Sequence, residues 1–452
     1  MSQARDAFSG LAALRPARRR DPISPSSDGG EPVRGFVPEV PAGAGQLAQI
    51  LGATPRSNRF GEHLGLRRWF SEQPGVAADA PALDAEIDAA ALRLIAPDAP
   101  TEVGDPRQWL FLDTETTGMA GGSGTYAFLV GIAWWDAGGL EVEQFFMREH
   151  SEEHSLLLAL AERMAERRVL VTFNGKSFDW PLLETRYRMT RSIKPPVPRA
   201  HLDFLHPARN LWRLRLGSAR LPELERHVLG WNRGADIVSE LIPSMYFDFL
   251  RGGAPEPLVP IFHHNQMDLR GLAAVAMRVL ALLGNPEQHG HDALELFGVS
   301  RICERRGDVR ARDLYERSIT AELPEDAERK ARRSLALLAK RAGDLRQAEE
   351  LWAKMLGGSR EGLEAYEQLA IHYERRARDH HRAAELAREA LKLLRKSSRI
   401  GAIEPSVYGR YKLRFQRRLA RLERRTKQAR LEAPDLESKT AAIESNIDNI
   451  RR

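Results

Sequence analysis

Apolar positions along the chain change period three times. Residues 1–45 mix Pro, Gly, Ser and Arg without apolar periodicity and include the run Arg18-Arg19-Arg20, the composition of a disordered tail. Residues 46–104 read as a helical or irregular extension. From about 107 short apolar runs take over: Trp109–Leu112, Tyr126–Trp135 and Leu140–Met147, parted by turn residues, predict a meander of three strands. A helical pattern over 151–166 leads to the strand-like run Val169–Phe173 and to a second helix from Asp179 to Met189. Pro195, Pro196 and Pro198 break the chain before a further strand, Leu202–Leu205. Helical pieces over 221–229 and 236–250 precede a long helix from Asn265 to Leu283. This order predicts an α/β sheet with helices on both faces over residues 105–285.

Past residue 286 no strand pattern remains, and the chain repeats itself. GDVRARDLYERSI (307–319), GDLRQAEELWAKML (343–356) and RDHHRAAELAREAL (378–391) align Asp308, Asp344 and Asp379 at intervals of 36 and 35 residues. Such a period predicts stacked helix pairs over 286–396, because each pair hides its apolar face against the next. Ala348 and Ala383, with Leu351 and Leu386 three residues on, resemble tetratricopeptide repeats, although the complete signature is absent. A docking surface for a protein partner is the expected role of this all-α part.

Bulk composition narrows the class. At 452 residues, 42% hydrophobic and 29% charged, the chain suits two folded domains, and no run of about 18 apolar residues predicts a membrane span. The start, MSQARDAFSG, lacks a secretory pattern, and Cys303 is the only cysteine, so no intramolecular disulfide can form. A cytoplasmic protein is expected. Net charge is +6, yet residues 405–430 hold ten Lys or Arg against one Glu, a local +9 that leaves about −3 elsewhere. That segment, 397–430 with its flanks, reads either as a polyanion contact or as the wet face of an amphipathic helix, since Tyr408, Tyr411, Phe415, Leu419 and Leu422 fall at helical spacing. A tail is expected over 431–452.

Three short motifs carry chemistry. The first strand ends in F-L-D-T-E-T-T-G (111–118), where Asp113 and Glu115 share one face of an extended chain; like charges that close need a cation, and oxygen ligands favour Mg²⁺ or Mn²⁺. T-F-N-G-K-S-F-D-W-P-L-L (172–183) sets Asp179 at a helix start just past a strand, where sheet ends gather ligands. In F-H-H-N-Q-M-D-L-R-G-L (262–272), His264 lies one helical turn before Asp268, joining a proton acceptor to a carboxylate. Taken singly, these motifs read as a solvent-facing acidic pair, a helix cap and ordinary polar contacts.

In this order, D-x-E, N-x-x-x-F-D and H-x-x-x-x-D resemble the DEDD exonucleases, the DnaQ-like branch of the ribonuclease H-like superfamily. More closely, residues 105–285 resemble the YprB-like ribonuclease-H-like family through D-T-E-T-T-G with A-G-G-S-G-T (120–125), N-G-K-S-F-D, H-L-D-F-L-H-P-A-R-N-L-W (201–212), L-P-E-L-E (221–225), V-L-G-W (228–231) and H-N-Q-M-D. The resemblance implies a five-stranded mixed sheet, helical repeats behind it, and a metal site of Asp113, Glu115, Asp179 and Asp268 holding two Mg²⁺ or Mn²⁺ ions. It implies a 3'–5'-type exonuclease acting on DNA or RNA, with a catalytically silent nucleic-acid-binding or scaffold protein as the alternative. The base of the histidine branch falls on His263 and the equivalent of the tyrosine branch on His264; the spacing of the second motif favours His264. Around this core Lys176 suits a phosphate, Thr117 and Gly118 suit backbone approach to a nucleotide, and Asn174 belongs to the second motif. Arg209, Arg213, Arg215 and Arg220 form a basic run between helices that reads as a phosphate track or a solvated surface. Phe178 reads as core packing, and Asp203 matches a family position but stays outside the metal site.

Overall fold

Strand β3 (Trp109–Thr116) shows why the sheet is covered on both sides. Its first four side chains are all buried, Trp109 and Phe111 joining one apolar cluster and Leu110 and Leu112 the other. A strand hidden on two faces needs no polar alternation, hence the continuous apolar run. The computed structural model describes residues 41, 43–70, 87–118, 124–136, 138–234, 236–290 and 292–432, without side chains from 428 on. The expected tails, up to residue 40 and from 433, lie outside the described residues, as does most of the glycine-rich stretch 120–125.

The meander expected after residue 107 is present: β3, β4 (Ala127–Asp136) and β5 (Gly139–Phe146) pair antiparallel. β6 (Val169–Thr172) joins β3 in parallel and β7 (Ala200–Asp203) joins β6 in parallel, giving the mixed sheet. The expectation of five strands is corrected, and the helical or irregular extension expected over 46–104 holds two strands besides its helices. β1 (Thr54–Asn58) and β2 (Gly61–Phe70) form a hairpin that adds to β5, with Leu64 opposite Phe146, so the sheet has seven strands in the order β1-β2-β5-β4-β3-β6-β7. β1, T-P-R-S-N, is exposed and carries Pro55, which an edge strand tolerates because one side of its ladder is unpaired. β2 buries four consecutive residues and then exposes charge, so neither strand shows the period of two.

On one face α1 (Ala44–Leu51), α3 (Glu153–Glu166), α4 (Asp179–Thr190) and α7 (Ile242–Leu250) cover the sheet. On the other lie α2 (Ala89–Ile95), α5 (Leu205–Leu216) and α6 (Leu221–His227). The 26-residue α8 (Val259–Gly284) serves both: Ile261 and Phe262 enter the first core, Leu269 to Leu283 the second. The basic run expected between helices is mostly α5 itself, because its Leu211 and Trp212 are buried while Arg209 and Arg213 face out.

After the short α9 (Pro286–His289) the chain is all helix: α10 (Ala293–Arg306), α11 (Ala311–Thr320), α12 (Glu325–Arg341), α13 (Leu345–Ala353), α14 (Arg360–Arg375), α15 (His380–Arg399) and α16 (Pro405–Glu432). The repeat marks the turns before α11, α13 and α15. Gly307, Gly343 and Arg378 adopt left-handed φ of 70°, 84° and 56°. Asp344 and Asp379 then accept the amides of Gln347 and Arg382, capping their helices. In α16 the amphipathic reading accounts for the arginines: Tyr411, Phe415 and Leu422 are buried, while Arg414 pairs with Glu367 and Arg418 and Arg421 with Glu374 of α14.

Candidate active site

Asp113 and Glu115 stand on the last half of β3, at the level where α8 crosses the sheet. That crossing is close because β4 has Gly131 opposite Asp113: a Cβ there would lie 2.0 Å from Asn265 Oδ1. The fully buried Asn265 donates to Asp113 Oδ2 at 2.7 Å and accepts from Gln144 at 2.8 Å, so it fixes the carboxylate against the helix. Asp179 opens α4 and accepts from the Thr114 hydroxyl at 2.5 Å. The loop before it turns at Asn174, whose φ is 73°, and Asp203 of β7 holds that loop by accepting the amides of Asn174 at 2.8 Å, Lys176 at 3.0 Å and Leu205 at 3.0 Å. Asp203 is therefore a brace of the second motif.

The four acids feel one another. Burial pushes the Asp113 carboxyl well up, and the charges of Asp268, Glu115 and Asp179 push it further, against the Asn265 hydrogen bond. Burial likewise raises Glu115, with Asp268, Asp179 and Asp236 adding to it. Asp179 rises to about 6, chiefly through burial, while bonds from Thr114 and the backbone oppose the shift and Asp203 supports it. Such mutual opposition is what buried like charges create. Among the described residues, no group of three or more His, Cys, Asp or Glu side chains is arranged so that it could hold a metal ion. Several of the carboxylates lean on a protein donor instead: Asp113 on Asn265, Asp179 on Thr114, and Asp268 on Arg233 at 2.5 Å.

Arg233 was not foreseen. Its side chain is 5% accessible, gripped through two nitrogens by the fully buried Glu225 of α6, and it also reaches Asp236 Oδ2 at 3.2 Å. Glu225 can lie against α8 only because residue 271 is glycine, where a Cβ would fall 1.7 Å from Glu225 Oε1. Burial lifts the Glu225 carboxyl to about 7 despite Arg233. The two candidate histidines separate. His264 is buried, with Nδ1 2.7 Å from Asp236 Oδ1 and Nε2 3.5 Å from Asp268 Oδ2. His263, about 100° around the helix, is exposed and is set aside as the residue beside Asp268.

A groove of about 750 Å³ opens beside His264 and Asp268 and is lined by Phe173, Asn174, Arg209, Arg213 and Arg220, among others. Of the residues expected to meet a substrate, Asn174, Arg209 and Arg213 thus face the same space. Arg215 turns away to Glu295 of α10 at 2.5 Å, and Lys176 is exposed outside the groove lining. The expectation for Thr117 is corrected: its amide already donates to the Tyr126 carbonyl at 2.9 Å and its hydroxyl accepts the Tyr126 amide, so it closes a turn. Gly118 accepts from Thr116 Oγ1 at 3.0 Å through its carbonyl. The core reading of Phe178 is also corrected; Trp180 and Leu183 fill the interior, and Phe178 is left 59% exposed at the turn before α4.

With this geometry in view, relatives can be placed. A family model described as RNase_H superfamily matches residues 110–280, which span all four acids. The chain is also 31% identical over 290 residues to YprB of Bacillus subtilis (strain 168), itself described as uncharacterized, covering 62% of this chain and 68% of YprB. The chain belongs to the YprB-like ribonuclease H-like family. Among solved structures, the family B DNA polymerase of the hyperthermophilic archaeon Pyrobaculum calidifontis is similar at 14% identity and a TM-score of 0.33; the match covers 45% of this chain and only 29% of the polymerase, a likeness too slight to bear on the site. Asp236 and Arg233 lie outside every motif, and Glu225 and Asn265, though inside L-P-E-L-E and H-N-Q-M-D, had no role assigned by them. Gly271, three residues after Asp268, was the one local hint of a close neighbour on α8. Arg233 and Asp236 sit in W-N-R-G-A-D-I-V, which has no periodicity to flag them.

Proposed function

We propose that this member of the family is a metal-dependent DEDD-type nuclease that hydrolyses phosphodiester bonds of DNA or RNA, in the manner of a 3'–5' exonuclease. The observation that carries the reading is the set of carboxylates Asp113, Glu115, Asp179 and Asp268, whose charges oppose one another and of which Asp268 lines a groove together with Arg209, Arg213 and Arg220. Donors that are all oxygen and hard, and that burden one another with charge, fit Mg²⁺ or Mn²⁺ in kind. When bound, a pair of such ions supplies an activated water and neutralises the leaving oxygen.

The chain's own groups do the rest. Asp113, Glu115, Asp179 and Asp268 hold the cations, Asp268 exchanging some of its contact with Arg233 for that role. His264 accepts the proton of the attacking water at Nε2, the nitrogen turned toward Asp268. Arg209 and Arg213 bind backbone phosphates along the groove as charge-assisted donors, and Asn174 lines its wall near the cleaved end. The all-α part is available to a protein partner. The Arg233–Asp268 contact, and the lack among the described residues of three acidic or His side chains set to hold a cation, favour a catalytically silent nucleic-acid-binding protein, and the same assay decides between them.

The assay incubates the chain with DNA and RNA oligonucleotides labelled at either end, in Mn²⁺, Mg²⁺ or chelator. Hydrolysis only with metal, shortening products from the 3' end, is the expected result. Asp113→Asn with Glu115→Gln should reduce the rate on the order of 10³-fold, as loss of several kcal/mol of charge stabilisation implies. Oligonucleotide bound but intact under every condition refutes the enzymatic reading.

A further inference from the structure

We propose that Asp236 is the positioning residue of His264, fixing its ring so that Nδ1 carries the proton and Nε2 presents a bare lone pair beside Asp268; this rests on the nuclease reading and deepens it. Asp236 lies between α6 and α7, itself in no helix or strand, so the backbone alone does not aim it. Its carboxylate is aimed by contacts on both oxygens. Oδ1 accepts the Ile237 amide at 2.8 Å, and Oδ2 meets Arg233 Nη1 at 3.2 Å. Arg233 is itself immobilised by buried Glu225, which the absence of a side chain at Gly271 admits to the flank of α8. A chain of contacts from the α8 backbone therefore ends on the Asp236 carboxylate, whose other oxygen, Oδ1, lies 2.7 Å from His264 Nδ1.

The direction of that last bond follows from chemistry. Burial works against the charge on Asp236, but the Ile237 amide on Oδ1 and the Arg233 guanidinium at Oδ2 favour it, and the carboxyl lies below its usual range. An ionised carboxylate only accepts, hence Nδ1–H is the donor and, in the neutral ring, Nε2 has no proton. Nε2 stands 3.5 Å from Asp268 Oδ2, longer than an N–H···O bond, so Asp268 does not hold a proton on that nitrogen. His264 and Asp268 face the same groove. A carboxylate behind an imidazole that orients the ring and sets its tautomer is how such pairs act in many sites, and removing the orienting group commonly lowers activity 10- to 100-fold.

The test joins a spectroscopic readout to a kinetic one. In the full chain with ¹⁵N-labelled histidine, at a pH where imidazole is neutral, the His264 ring, identified by its loss in His264→Ala, should show a protonated Nδ1 and bare Nε2. In Asp236→Ala that pattern should mix or invert. Asp236→Ala should lower kcat about 10- to 100-fold with KM nearly unchanged, and should add little further loss in a His264→Ala background. An unchanged tautomer in Asp236→Ala, or an equal loss in both backgrounds, overturns the proposal. Should the wild-type chain fail to hydrolyse any oligonucleotide, the nuclease reading fails, and the ring spectra still decide whether Asp236 sets the tautomer.

Discussion

Burial and neighbouring carboxylates disfavour the charged forms of Asp113, Glu115 and Asp179, and this has a sign that can be measured. Their folded pKa values are raised, so the stability they contribute is complete below the unfolded values near 4 and drains away as pH climbs through the folded ones, about 6 for Asp179 and higher than normal for Asp113 and Glu115. The metal-free chain should therefore melt at lower temperature at pH 8 than at pH 5.5. Asp113→Asn relieves the opposition while leaving an oxygen for Asn265, and should raise the melting temperature in chelator at pH 8 by roughly 3–6 °C. The same variant should lose most of the stabilisation that Mn²⁺ gives the parent; calorimetry in chelator and in Mn²⁺ reads both. Of these residues, the acids were legible in D-x-E, F-D and H-x-x-x-D because chemistry confines them to strand ends and helix turns. Arg233 and Asp236 were not, because a loop residue is placed by its contacts, and contacts with Glu225 and His264 leave no trace in local pattern.

At the scale of elements, legibility followed burial. β3 to β6 and the long α8 announced themselves through apolar runs, whereas the β1–β2 hairpin carries Pro55, an exposed first strand and a block of burial where alternation is the usual sign. The crossing of α8 over β4 depends on Gly131. Gly131→Ala should drive Asn265 from both Asp113 and Gln144 and destabilise the chain by about 1–3 kcal/mol, as overpacking does. Gly409 of α16 has nothing within 4 Å of a built Cβ, and Gly409→Ala should instead stabilise by about 0.5–1 kcal/mol through helix propensity. Denaturant unfolding of the two variants side by side checks the contrast; equal effects would show that the close approach at Gly131 is not what holds α8.

At the scale of the molecule, the described residues make one compact unit, and its sheet and helical parts meet at α5 and α10. Gly298 lets the two helices touch backbone to backbone, where a Cβ would lie 2.7 Å from the Asn210 carbonyl oxygen. Glu295 receives both the Trp212 indole at 2.9 Å and Arg215 at 2.5 Å. α5 also carries Arg209 and Arg213 into the groove, so the helical part buttresses the wall on which substrate is proposed to lie. The parent should unfold in one calorimetric transition and Gly298→Leu in two, since the parts then lose their shared interface. None of this connection was visible in the repeat pattern, which reports only how each helix pair meets its neighbour. The claim on which the rest stands is that Asp113, Glu115, Asp179 and Asp268 share divalent cations in order to cleave a phosphodiester. Titration with Mn²⁺, bound ion being counted by electron paramagnetic resonance in the same samples whose cleavage is timed, tests it most directly: about two ions per chain, cleavage that rises with their occupancy, and loss of both with Asp113→Asn and Glu115→Gln are predicted. Cleavage undiminished in chelator, or no saturable uptake of Mn²⁺ by the parent chain, would contradict it.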